Sequence, residues 1–178
     1  TRLDSYEDTA YLADMSHMLA LVQTAENIEI KQGNLKLNVT FGDTAQFLWT
    51  YTENGVDYSP KSLNLVFKNR ALTELTDGMY LFTVGSTTVN ISQDRAIEIA
   101  RDAAESFSYT ADGQTVSGLK VLDSPVSAVF HPNTKQGTAL YPAWYITLYL
   151  DKTYAGGVNS IAVTIWADNG EIAQTKTS

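Results

Sequence analysis

Cysteine is absent from this 178-residue chain, and histidine occurs only at His17 and His131. Without thiols there is no disulfide framework, no Cys-bearing zinc site, no thiol nucleophile and no iron–sulfur cluster. Two isolated histidines cannot build an H-E-x-x-H helix or a three-His zinc site. Basic residues are also scarce, with 12 Lys+Arg against 20 Asp+Glu and a net charge of −8. That balance opposes binding to nucleic-acid phosphates, which needs clustered cations. Charged residues of both signs make up only 18%, below the roughly 25% of an average soluble domain. Twenty-one threonines and thirteen serines fill the gap, and a surface kept soluble by hydroxyls is expected of an extracytoplasmic protein. No apolar run approaches the ~20 residues of a membrane-spanning helix. No G-x-x-x-x-G-K-[ST], G-x-G-x-x-G or G-x-S-x-G pattern occurs, which removes the common phosphate cradles and the nucleophile elbow. The expectation is a protein that is not an enzyme, uses no cofactor or metal, and binds no nucleic acid. The chain opens on Thr1 rather than Met, which suggests a processed N-terminus or an excised fragment, with room for a membrane anchor outside these residues.

What is present is pattern. From Asp4 to Ala25 the spacing predicts a helix, capped at Asp4 or Ser5, with Tyr11, Met15, Met18 and Val22 on its buried stripe. The period then switches to two, at Leu35–Phe41, Phe47–Thr52, Leu63–Phe67 and Tyr80–Val84, as in half-buried antiparallel strands. Asn54-Gly55 and Asp77-Gly78 supply residues suited to tight hairpin turns. A second helix is predicted from Ser92 to Phe107, capped by Ser92 and burying Ala96, Ile99, Ala100, Ala103 and Phe107. Strands resume at 117–122, 126–130, 143–150, 160–166 and 171–175. The expected fold class is therefore α+β, with helices packed on antiparallel sheets. The order helix-then-strands occurs twice, and Phe47–Tyr51 can be set on Pro142–Ile146. Two helix-plus-antiparallel-meander repeats follow, over residues 1–88 and 89–178.

Candidate functional residues are few. His17, with only Asp14 as an acid in helical register, reads as a structural histidine, and His131 opens a polar loop running to Gly137. Asp94, Glu98 and Asp102 line one helix face near Arg95 and Arg101, the pattern of a solvated surface. Asp168-Asn169-Gly170-Glu171 lacks the alternating oxygen ligands of a calcium loop and reads as a hairpin turn. Asn38-Val39-Thr40 and Asn90-Ile91-Ser92 fit the glycosylation pattern, making Asn38 and Asn90 candidate acceptors. If a helix covers the aliphatic face of 144–150, then Tyr145, Tyr149 and Trp166 point the other way. They form either a second core face or a binding patch for a peptide, a partner domain or glycan. An open sheet edge that accepts a partner strand is a further option.

One family resemblance emerges. Val89-Asn90-Ile91-Ser92-Gln93-Asp94-Arg95-Ala96-Ile97-Glu98-Ile99-Ala100 resembles the opening of a PepSY domain: a strand, Ile-Ser, then a helix with alanines four apart. Val163–Ile172, with Asn169-Gly170 at its turn, is similar to that family's closing hairpin. The likeness spans about Val89 to Ala173, and the first half is a fainter, divergent echo. It implies a non-catalytic, secreted or membrane-anchored module for protein or peptide interaction, with peptidase inhibition or regulation as a proposed role in the family. The rival expectations are a purely structural cell-surface spacer and, far behind, a glycoside hydrolase built on two carboxylates.

Overall fold

The computed structural model describes residues 10–178. The proposed caps at Asp4 and Ser5, and the first turns of the predicted helix, lie outside those residues. Helix α1 runs Ala10–Ala20. It is followed by β1 (Ile28–Gln32), β2 (Leu35–Phe41), β3 (Ala45–Glu53), β4 (Val56–Lys68), β5 (Ala71–Asp77) and β6 (Thr83–Val84). Helix α2 covers Gln93–Ser106, and β7 (Tyr109–Ala111), β8 (Gln114–Val116), β9 (Val121–Gln136), β10 (Ala139–Tyr154), β11 (Val158–Trp166) and β12 (Ile172–Thr177) complete the chain. It divides into two units, one through Gly85 together with Thr134–Leu140, the other comprising Ser86–Asn133 and Tyr141–Ser178.

The expected fold class, two helix-plus-meander α+β repeats, is overturned. Strands hold 57% of the described residues and helices 16%, and the two halves are not copies of one plan. One carries a five-stranded meander, and the other a small hairpin followed by two sixteen-residue strands. The extra strand comes from stretches in which prolines and polar residues hide the period of two. Pro60 lies where β4 slips register against β3, between the pairs Thr50↔Ser62 and Tyr51↔Tyr58. Pro125 and Pro132 belong to β9, which among the described residues pairs only with β10. A proline that cannot donate is tolerated at a bulge or on an edge strand. His131 and the polar run after it are accordingly strand, not loop.

In the first unit the sheet order is β1-β2-β3-β4-β5, all antiparallel. Asn54 and Gly55 have φ of 51° and 79°, as a two-residue hairpin turn requires. The alternation places Leu37, Trp49 and Leu63 on one face, and Val39, Phe47, Leu65 and Leu75 beside them. Met15 and Met18 of α1 seal part of that face with Leu35, Leu37, Val39, Trp49 and Met79. Burying each such side chain stabilises by about 1.5–3 kcal/mol. Lys61 is buried nearby; its Nζ donates to the carbonyls of Met79 (2.6 Å) and Phe82 (2.9 Å) and lies 5.2 Å from the Tyr11 ring centroid. Asp77-Gly78 is not a hairpin turn. Asp77 Oδ1 accepts from Met79 N, and a Cβ on Gly78 would strike the Pro60 carbonyl oxygen. The short β6 pairs in parallel with Ala139 and Leu140.

In the second unit β10 lies between β11 and β9, with β12 beyond β11. Ser92 caps α2 by accepting from Arg95 N at 3.3 Å. Ala96, Ala100 and Ala104, four residues apart, are fully buried against Ile146, Leu148, Ile161, Val163 and Ile165. Small side chains on that stripe let the helix lie close to the sheet.

Candidate functional site

The aromatic residues singled out by alternation do share one sheet face in the second unit. Tyr145 stands opposite Thr164, Tyr149 opposite Ser160, and Trp166 opposite Ala143. Their surroundings differ. Tyr149 is exposed (38%), Tyr145 is half-buried, and Trp166 is only 7% exposed, edge-on to Tyr141. The Tyr145 ring stacks on His131 at 3.9 Å and 11°, and burial pushes its hydroxyl pKa up. The third tryptophan, Trp144, faces the aliphatic side, where Nε1 donates to Ile91 O at 2.8 Å. Of the candidate acceptors, Asn38 is half-buried on β2, and Asn90 is exposed with Nδ2 donating to Asp168 O at 2.8 Å. His17 lies on the exposed side of α1, its Nδ1 2.7 Å from Gln32 Oε1, while Gln32 Nε2 donates to Asp14. Among the described residues, no three His, Asp or Glu side chains converge as metal ligands would.

A different surface stands out in the first unit. Helix α1 packs chiefly against β1 and β2, and among the described residues β5 is left exposed. Leu19, Phe47, Leu65 and Phe67 line a wholly apolar concavity of about 300 Å³. Beyond it, every residue of β5 is exposed, including Leu72 (49%) and Leu75 (60%). Among the described residues β5 pairs only with β4, so its outer row of N–H and C=O groups faces away from any partner strand. The β4–β5 turn is Asn69-Arg70, with φ of 51° and 66°. Arg70 thus occupies a left-handed conformation that glycine normally takes. Sequence reasoning missed β5 because Asn69-Arg70 carries no glycine signal and because a bulge breaks the alternation of Leu72 and Leu75. Their Leu-Thr-Glu-Leu-Thr composition was the available clue.

At the far end of the same sheet lies a polar concavity lined by Lys31, Asn34, Thr52, Glu53 and Asn54, among others. The Tyr51 hydroxyl accepts from Asn34 Nδ2 (2.9 Å) and donates to Glu53. Burial first, then the bond to the Glu53 carboxylate, pushes the Tyr51 pKa up to about 12, although the Asn34 bond opposes the shift. Tyr58, edge-on to Tyr51, is also pushed up to about 12, by burial and then by the charge of Glu53.

Comparisons with known proteins add little. No family model matches the chain, and no curated protein matches it. Among solved structures, the Bacillus megaterium YpeB C-terminal domain is similar at a TM-score of 0.35 and 11% identity, over 96% of this chain. The chain spans about 65% of that neighbour's length. A likeness at that level carries no argument about what the chain does.

Proposed function

We propose that this chain is a non-catalytic, extracytoplasmic module that binds a protein or peptide segment, PepSY-like in its second half. The contact surface is the apolar concavity of the first unit together with β5. One observation carries this reading: Leu72 and Leu75 are exposed on a strand whose outer edge has no partner among the described residues, beside an open apolar groove. Exposed apolar groups gathered beside a concavity mark interaction sites, whereas apolar residues scattered singly do not. The resemblance of Val89–Ala173 to PepSY sequences supports the extracytoplasmic setting, as does the hydroxyl-rich composition. Restraint of a peptidase is one form such binding would take.

The test is an array of extended dodecapeptides of varied sequence, probed with the full chain. Binders are expected, and Leu75→Glu, a change at an exposed position, should weaken them at least tenfold. An array with no binder, or binders indifferent to Leu75→Glu, would remove this surface from consideration and leave the spacer reading. A thermolysin-type peptidase titrated with the chain checks the narrower role; full activity at stoichiometric ratio excludes restraint of that peptidase class.

A further inference from the structure

The groove and its edge strand have a charge polarity that specifies what would bind there. This inference rests on the reading of that surface as a peptide site. On β5 the pairs Val66↔Glu74 and Phe67↔Leu72 leave Thr73 as an extra residue, and its hydroxyl donates to Val66 O at 3.0 Å. That bulge has a specific result. In a regular strand, residues three apart point to opposite faces. Here Leu72 joins Leu75 on the face of Phe67 and Leu65, so the apolar surface continues without a break to the sheet edge.

The two ends of that edge differ in sign. At the turn end stand Lys68 and Arg70, both exposed and neither in an ion pair among the described residues. At the other end stands Asp77, with Glu74 at mid-strand. In a chain of net charge −8, two neighbouring cations outside any ion pair at the turn end of this edge are a local exception; Lys68, paired with Ala71, stands on the face opposite Phe67, and Arg70 stands in the turn itself. Arg70 also stands in a left-handed turn position that favours glycine. Backbone preference therefore does not account for an arginine at that position.

We propose that β5 accepts an extended peptide as a sixth strand, with apolar side chains at alternate positions over Leu72, Leu75 and the groove, and with an acidic side chain against Lys68 and Arg70. Main-chain hydrogen bonds to the open edge hold the peptide, the apolar face selects its alternate residues, and the cations set its direction.

The experiment uses fluorescein-labelled nine-residue peptides of alternating Leu and Thr, carrying two Glu or two Lys at one end, with fluorescence polarisation as the readout. The Glu peptide should bind the full chain at least tenfold more tightly than the Lys peptide at low salt, with the gap narrowing at 0.5 M salt. The double variant Lys68→Glu/Arg70→Glu, both exposed changes, should reverse that preference while keeping the wild-type circular dichroism. Two further Glu peptides are N-methylated on alternate amides, one set in each register. One set should lose binding and the other keep it. Equal affinity for Glu and Lys peptides, both lost with Leu75→Glu, would overturn the acidic preference and leave the peptide site standing. Full binding by both methylated peptides would overturn strand addition. Failure of every peptide on the wild-type chain would overturn the inference, and an empty dodecapeptide array would place that failure on the site itself.

Discussion

Single residues in this protein carry constraints that their type alone does not announce. Gly78 has an ordinary φ and needs no left-handed freedom, yet its missing Cβ makes room for the Pro60 carbonyl oxygen. Gly78→Ala should therefore destabilise by roughly 1–3 kcal/mol, the cost of overpacking against a backbone that cannot swing away. Urea unfolding measures it, and an unchanged midpoint would mean that the Asp77–Met79 turn yields easily. Arg70 presents the reverse case. A non-glycine residue at φ 66° carries a strain of about 1–2 kcal/mol. Arg70→Gly should therefore raise stability, by up to about 1 kcal/mol once the greater freedom of glycine in the unfolded chain is subtracted. If the cation serves binding, the same variant should hold the Glu-ended peptide less tightly. Stability and binding moving in opposite directions at one position is an outcome that a purely structural turn does not produce.

At the scale of elements, helix α2 was the most legible part of the sequence. Its capping serine, its alanine spacing and its length all agree, and Gln93–Ser106 lies within the predicted range. Ser92→Ala should cost about 1 kcal/mol by freeing Arg95 N. Ala100→Leu should cost more, roughly 1–3 kcal/mol, because Ala100 is sealed against β11 and the added volume has no space to enter. Thermal unfolding of the two variants gives the ranking, and equal losses would count against close helix–sheet contact. The strands were legible wherever alternation ran clean, as at β2, β3 and β11. Where a second effect interrupts the period, they were not. The bulge at Thr73 hid β5, prolines on an edge strand hid the length of β9, and a close backbone approach at Gly78 looked like a hairpin signal. The aromatic face of β10 and β11 was read correctly as a face. Its exposure was not readable, because periodicity says which residues point together and nothing about what covers them. The groove was invisible for the same reason, since it depends on how α1 lies on the sheet, with Leu19 at the rim beside Phe47, Leu65 and Phe67.

At the scale of the whole molecule, the buried tyrosines make a protein whose stability is vulnerable at the alkaline end. Ten tyrosines occupy the chain. Two of these, Tyr51 and Tyr58, are held to about pKa 12 in the first unit, against an ordinary value of 10.0. Below pH 10 both states keep these protons, so the groups add no pH dependence there. Between about pH 10 and 12 the unfolded chain loses them while the folded chain retains them, so stability falls as pH rises. Each group contributes up to about 1.4 kcal/mol per pH unit. Above about 12 the two states ionise alike and the slope vanishes. Tyr145 in the second unit acts in the same direction. Urea midpoints should accordingly be level from pH 8 to 9.5 and drop steeply by pH 11.5, with tyrosinate absorbance near 295 nm lagging behind that of the denatured chain. The double variant Tyr51→Phe/Tyr58→Phe separates this from general charge repulsion in a chain already at −8. Repulsion grows with net charge and persists in the variant, whereas the steep step should shrink with the two hydroxyls gone. A step of unchanged height in that variant would place the alkaline sensitivity elsewhere and deny the Tyr51–Glu53 end of the sheet its part in stability.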